Sequence, residues 1–344
     1  MTMRIYIIVI LLVVNSFMLQ AQIIPNLGGQ RVGISALSFL KIDVSPAASA
    51  MGDAHISSAG DAYSTYWNPA AISDVRKITI GTSDRLMPAG INLSYLSVIV
   101  PVKKTDAWGF SLDMLNSGVM EKTTELQPNG TGQNFYANSF ALGVSYSKIL
   151  SDKFSFGATG KLIREQLDYF SATTATVDLG FLYKTDFKDL KFAVVLHSFG
   201  PNSTLKGTFN VTSFNPKQDT ASSYPMPTTF RMGFSFVPYK SLRDNLKIEV
   251  QLNHPNDNAE NISLGAEYAY DQILFLRAGY MFNVIQQRLP TFGFGVKSRI
   301  GKHPLNIDYA AISGTNFGLV HNIGLVLTIN NTKRTDNTNE EENK

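Results

Sequence analysis

The chain has 344 residues, with 30 Lys and Arg against 27 Asp and Glu, and its net charge of +3 is spread without a basic stripe, so a nucleic-acid partner is not expected. It contains no cysteine, which excludes disulfide frameworks, thiolate metal sites, cysteine nucleophiles and a lipid-anchored N-terminal cysteine. Mean hydropathy is near zero; this argues against a bundle of membrane helices but not against a membrane barrel, where only alternate residues face lipid.

Arg4 precedes an apolar run from Ile5 to Val14, and Leu19-Gln20-Ala21 offers a cleavage site. A charged start, a short apolar stretch and a cleavage site read as a secretory signal over residues 1–21. The apolar run is shorter than the ~20 residues that a spanning helix needs, and no later stretch is long enough to span as a helix. The mature chain is expected to be exported, and any membrane crossing has to be made by strands.

Residues 22–74 are expected to form an N-terminal plug. Its centre, Ala50 to Ile72, is built of Ala, Gly and Ser, carries Asp53 and Asp61, and closes on Tyr66-Trp67-Asn68-Pro69-Ala70. It has neither strand alternation nor a long apolar run. Short helices or turns are expected around Pro46 and Pro69, because the residue before proline is pushed out of the helical region. Small side chains let backbone pack closely against an inner wall, so the lumen of a closed barrel suits this segment. Asp53 and Asp61 are expected to cap short helices and to pair with inward-facing Lys161, Arg164, Lys297 or Arg299, since buried charge is costly unless paired. Lining a route through the lumen is their alternative role. Asn68 is expected to fix a turn rather than to bind a substrate.

From Val75 the pattern has period two. Trp108, Phe110, Leu112 and Met114 alternate with small or polar residues, as do Phe140, Leu142, Val144 and Tyr146, and later Ile323, Leu325, Leu327 and Ile329. One face is apolar and the other small, polar or charged. Roughly fourteen strands are expected between residues 75 and 330, an even number within the range of bacterial outer-membrane barrels. The long links, 116–137 and 199–227, both follow odd-numbered strands, whereas links after even-numbered strands are short. Outer-membrane barrels sort their connections this way, with short periplasmic turns and long outer loops. Tyr146, Tyr169, Tyr183, Tyr268, Tyr270 and Tyr309 are expected near strand ends, as an interfacial girdle or as ordinary aromatic enrichment of strands. The polar tail, residues 331–344, is expected to be disordered; many such barrels end instead on an aromatic residue.

Met51-Gly52-Asp53-Ala54 followed by Trp67-Asn68-Pro69-Ala70 resembles the start of the PorV/PorQ family of outer-membrane proteins, with Phe39-Leu40-Lys41-Ile42 upstream included in the likeness. That family is itself similar to the long-chain fatty-acid transporters, which share an Asn-Pro-Ala motif in their plug. The general layout extends the resemblance to Ile329. The fold expected is therefore all-β: an antiparallel transmembrane barrel of about fourteen strands with a small N-terminal luminal plug.

Catalytic and metal chemistry find no pattern. The five histidines have neither HExxH spacing nor close partners. No Gly-x-Ser-x-Gly elbow stands between a strand and a helix, and Gly293-Phe294-Gly295 lies inside a strand and is no nucleotide loop. A phospholipase-like barrel is the enzymatic alternative, because a triad is a matter of geometry. No catalytic residue, metal or cofactor is assigned.

The resemblance implies an accessory role in type IX secretion, in which relatives hold or hand over exported proteins at the outer membrane. Partner-binding residues are expected on the long loops, at Phe135, Tyr136, Phe209, Phe214 and Tyr224, with Met226 beside them; exposed apolar clusters often mark binding surfaces, although these could instead fold over the barrel mouth. The plug motif, Met51 to Ala54 and Trp67 to Ala70, is given a structural or gating role. Partners implied are outer-membrane lipid and secretion-system or exported proteins. The alternative is passive transport of a hydrophobic small molecule, which needs an apolar pocket near the plug and a gap in the wall at a strand weakened by Gly109 or Gly157. A purely structural barrel is a third reading.

Overall fold

The computed structural model describes residues 33–207, 223–284, 289–314 and 318–330. The expected signal segment, Phe209, Phe214 and the polar tail lie outside the described residues.

Eighteen strands follow in chain order: β1 (Thr79–Leu86), β2 (Asn92–Pro101), β3 (Asp106–Asn116), β4 (Met120–Glu121), β5 (Asn134–Phe135), β6 (Ala137–Ser151), β7 (Phe154–Leu167), β8 (Phe170–Lys184) and β9 (Lys191–Phe199), then β10 (Ser203–Thr204), β11 (Ser223–Tyr224), β12 (Thr229–Lys240), β13 (Asp244–Pro255), β14 (Asn261–Tyr270), β15 (Leu274–Phe282), β16 (Thr291–Ile300), β17 (His303–Gly314) and β18 (Gly318–Thr328). Fourteen of them close into one antiparallel barrel in the order β1-β18-β17-β16-β15-β14-β13-β12-β9-β8-β7-β6-β3-β2. The short pairs β4–β5 and β10–β11 are two small ladders within the two long loops. β1 pairs with β18, Thr79 opposite Thr328, so the wall has no open edge. No described helix is long and apolar enough to cross a membrane.

The alternation is inside out relative to a soluble barrel. Trp108, Phe110, Phe140, Leu142, Phe181, Phe234, Phe294 and Leu325 are exposed on the outer face. The residues between them, such as Ser145, Thr159, Lys161, Asp178, Glu249, Gln251, Ser263 and Asn322, are buried toward the bore. Apolar outside and polar inside is the polarity of a membrane barrel. Tyr183 and Tyr270 stand at strand ends, but Tyr309 lies in the middle of β17, so the tyrosines do not all belong to one girdle.

The bore is filled by residues 33–74. A four-residue 3₁₀ turn (Ser38–Lys41), a short helix (Pro46–Ala50), a second (Ser64–Trp67) and a 3₁₀ segment (Pro69–Asp74) make up this plug. Pro46 and Pro69 each open an element at a position where the missing N–H costs nothing. Ser45 caps the first, its hydroxyl accepting from the Ala48 N–H, and Asn68 caps the last. The hydrophobic core of the molecule is therefore the contact between plug and wall: Phe39, Leu40, Tyr63, Tyr66 and Trp67 pack with Leu93, Tyr95, Ile163, Leu182 and Val195.

Candidate functional site

Each half of the bipartite plug motif sits on a pair of wall glycines that face each other across neighbouring strands. Gly265 of β14 pairs with Gly279 of β15, and a Cβ on Gly279 would fall 2.0 Å from the Met51 carbonyl carbon. Gly157 of β7 pairs with Gly180 of β8, where a Cβ would meet the Pro69 backbone at 2.3 Å and the Asn68 amide oxygen at 2.3 Å respectively. Gly52 and Asp53 both have left-handed backbone, φ 63° and 61°. At Gly52 a side chain would also strike the Tyr280 nitrogen at 2.6 Å, so only glycine fits there. Gly109, which approaches Thr65 and Ile72, and Gly157 are thus contact points rather than weak spots. β3 and β7 pair without interruption with both of their neighbours through these residues, so the wall has no gap there.

Asn68 is fully buried. Its Oδ1 accepts from the Ala70 N–H at 3.0 Å and its Nδ2 donates to the Ile56 carbonyl at 2.9 Å, which ties the two halves of the plug together. β13 supplies acceptors for the plug backbone between them. Gln251 Oε1 accepts from the His55 and Ile56 N–H groups at 3.1 and 3.2 Å, and Glu249 Oε1 from the Ser57 N–H at 2.8 Å.

The centre of the plug is an aromatic pair gripped by charge. Trp67 Nε1 donates to Asp43 Oδ1 at 3.0 Å, and the Arg231 guanidinium of β12 lies 4.9 Å from the Trp67 ring centre. His197 of β9 meets the edge of Tyr66 at 5.1 Å, and Lys161 of β7 lies 5.6 Å from the Tyr66 ring centre. Asp43 also accepts from the Ser45 N–H at 2.8 Å and from the Ser49 hydroxyl. Arg85 of β1 donates to the Asp43 carbonyl at 3.1 Å. Burial raises the Asp43 carboxyl above its usual range, and the neighbouring Asp53 raises it further while Arg85 opposes this. Asp53 is raised by the same burial, against Arg85 and Arg231. Asp43, Arg85 and Arg231 were not foreseen from the sequence; Ser45-Pro46, a cap followed by proline, was the local signal that residues around Asp43 turn into a helix.

The expected pairing of plug acids with wall cations takes a different form. Asp61 caps a turn, accepting from the Tyr63 N–H at 2.9 Å, and burial pushes its carboxyl up to about 6. Of the four cations expected to face inward, only Lys161 is buried, and it pairs with Asp178 at 2.6 Å. Arg164 is exposed on the outer face, whereas Lys297 and Arg299 continue the inner-face series of Thr291, Gly293 and Gly295 but are exposed at the end of β16. Lys161 and Arg164 are three residues apart on one strand, so alternation sends them to opposite faces. Arg277 instead carries the second interior network, bonding Glu267 and Asp308 at 2.6 Å each. Burial, with Lys247 adding to it, pushes the His55 imidazole down to about 3. No group of three or more His, Asp or Glu suited to a metal occurs among the described residues. Beside Tyr66, a cavity of about 10 Å³ is lined by Leu40, Tyr95, Asp113 and Lys161; it has room for one water.

Comparison with protein families gives a match of residues 26–256 to the type IX secretion system protein PorV. The chain belongs to that family. No curated protein matches it in sequence. In structure, the PorV-family chain is similar to the CymD monoaromatic hydrocarbon channel, with 14% identity, a TM-score of 0.53, and 88% of this chain and 100% of that one covered. It is likewise similar to the toluene transporters TodX of Pseudomonas putida (15%, TM-score 0.52) and TbuX of Ralstonia pickettii (13%, TM-score 0.51), each with 82% of this chain and 96% of the other covered. At such identities the likeness is one of fold: a closed outer-membrane barrel that crosses the membrane with strands. The short-turn end, where β1 begins and β18 ends, faces the periplasm, and the long loops face outward.

At the outward end of this PorV-family barrel the expected loop residues separate. Tyr136 and Tyr224 are exposed, and Phe135 is half-buried in β5. Met226 is fully buried against the plug, next to Pro225, whose carbonyl accepts from the Ala36 N–H at 3.0 Å. One end of the 199–227 loop thus folds over the mouth while Tyr224 points away. Asp257, in the β13–β14 loop, fastens the same end of the plug by accepting from Lys41 at 2.6 Å and from the Ser35 hydroxyl.

Proposed function

We propose that this PorV-family barrel is a non-enzymatic accessory of type IX secretion, which binds exported or secretion-system proteins at the cell surface and hands them over. The observation that carries the reading is the filled bore. The plug is seated on glycine pairs, hydrogen-bonded to β13 and gripped by Arg231 and Arg85. A barrel whose lumen is occupied by its own chain has its outer loops left for recognition, and Tyr136 and Tyr224 are exposed there. Exposed aromatic residues supply large contact area at low entropic cost, as hot spots do. The plug motif then has a structural role, holding the bore shut.

Deleting the gene and surveying surface-exposed proteins tests this. Loss of exported proteins from the surface with normal uptake of hydrophobic solutes is expected, and restoration by wild type but not by a Tyr136→Ala/Tyr224→Ala double variant ties the loss to these loops. Normal secretion in the deletion strain overturns the proposal.

The fold shared with hydrocarbon channels supports a second reading, passive entry of a hydrophobic small molecule. The water-sized cavity beside Tyr66 and the unbroken pairing of β3 and β7 weigh against it. Impaired hydrocarbon uptake with normal secretion in the same deletion strain would favour it.

A further inference from the structure

Six turns join strands at the periplasmic end, and each carries, in the turn or at the end of the strand that enters it, a large apolar side chain held out into solvent. They are Val102, Leu150, Phe187, Leu242, Ile273 and Ile300, with exposures between 52% for Ile273 and 102% for Leu242. Turns are ordinarily polar, so one such residue would be unremarked; one at every turn is a pattern. Each also has an exposed cation beside it. Lys103 and Lys104 follow Val102, Lys148 and Lys153 flank Leu150, Lys188 follows Phe187, Arg243 follows Leu242, and Arg299 precedes Ile300. At the remaining turn the Lys297 N–H donates to the Ile273 carbonyl at 2.8 Å, so the nearest exposed cation there is on the neighbouring strand, on its bore-side face at the rim. Carboxylates are present too, and Asp186 and Asp189 pair with Lys153 and Lys240. Lys103, Lys104, Lys188, Arg243, Lys297 and Arg299 make no ion pair among the described residues. Just inside the ring, Trp108, Tyr183, Tyr239, Tyr268 and Tyr270 are exposed within two residues of the same strand ends.

Aromatic side chains followed by apolar tips set among cations match the layers of a lipid interface, from acyl boundary to headgroup. We infer that the periplasmic rim is a lipid-headgroup collar that binds the phosphodiesters of anionic phospholipids in the inner leaflet. Repetition at all six turns decides the occupant. A leaflet surrounds the barrel on every side, whereas a protein docked against the rim would call for such residues along one arc. The apolar tips enter the acyl boundary while the cations meet phosphate.

Native mass spectrometry of the full chain in mild detergent, offered phosphatidylglycerol or phosphatidylcholine, tests the collar. Preferential retention of phosphatidylglycerol is expected, shrinking as salt is raised. In Lys103→Gln, Lys188→Gln, Arg243→Gln and Arg299→Gln variants, retention of that lipid should fall roughly fivefold per charge removed. These side chains are exposed on turns, and heat-dependent gel migration checks that each variant still forms the barrel. Equal retention of both lipids by the wild type, or undiminished phosphatidylglycerol in the combined variant, overturns the inference. If instead the variant keeps its lipid but loses secretion, the ring serves an acidic protein and the lipid assignment falls.

Discussion

Arg231 lies with its guanidinium 4.9 Å from the centre of the Trp67 ring, and it stands on β12, half the barrel away from Arg85 on β1. The two arginines reach into the bore from opposite walls, and both act on the buried carboxyl of Asp53. Arg231→Ala removes a desolvated cation–π contact and a counter-charge to Asp53, which should weaken plug seating by about 2–4 kcal/mol. The measurement is limited proteolysis of the N-terminal segment in the folded barrel. Arg231→Lys keeps the charge but not the flat stacking surface, so an intermediate cleavage rate is expected.

A side chain at a wall glycine should lift the plug without disturbing the strand. Gly157→Val puts bulk where the Pro69 backbone already lies 2.3 Å from a built Cβ. The barrel should still form, since valine suits a strand, but the Asn68-Pro69-Ala70 turn has to move. Ion conductance in planar bilayers is expected to appear in this variant and to be absent or much smaller in the wild type. Gly160→Val, three residues nearer the long-loop end, on the outer face and with nothing within 4 Å of a built Cβ, is the control.

Plug seating should depend on pH with two opposing signs. Asp61, raised to about 6 when seated, holds a proton there that the released plug gives up near 4. Its support for seating is full below pH ~4 and is lost as pH rises through 6; Asp43 and Asp53, also raised, act in the same direction. His55, lowered to about 3, stays neutral when seated, so its support is full above pH ~6.5 and is lost as pH falls toward 3. Protease resistance of the plug should therefore decline from about pH 4 to neutrality, and decline again at more acid pH. His55→Gln should abolish the acid-side loss and leave the neutral-side decline. An unchanged acid limb in that variant would show that another group sets it.

The ion pair between Lys161 and Asp178 is 2.6 Å long and almost wholly buried. Asp178 also accepts from the Ser198 N–H at 2.7 Å where β8 and β9 shift register, so it fixes a bulge as well as a charge. Asp178→Asn leaves Lys161 without its counter-ion and should cost the barrel about 3–5 kcal/mol. Urea unfolding in lipid vesicles reads this. A Lys161→Met/Asp178→Asn pair should recover part of the loss, because no uncompensated charge is left.

The amino-acid sequence by itself determined the wall. Alternation of side chains is set by the covalent geometry of an extended chain, so Phe140, Leu142 and Val144 fall on one face whatever they meet. The strand number, the sorting of short and long links and the turns at Pro46 and Pro69 follow from equally local signals. Even the outward course of Arg164, once Lys161 points inward, is contained in their spacing. Only the tertiary structure decided what the inner face touches. That Gly157 meets Gly180, that their shared surface takes Pro69, and that Asp43 rather than Asp61 lies at the charged centre all depend on how a closed ring of strands is registered around a separate segment. Those contacts join residues on different elements, 24 positions apart for Asp43 and Trp67 and farther still for Pro69 and the two glycines, and no local preference encodes them.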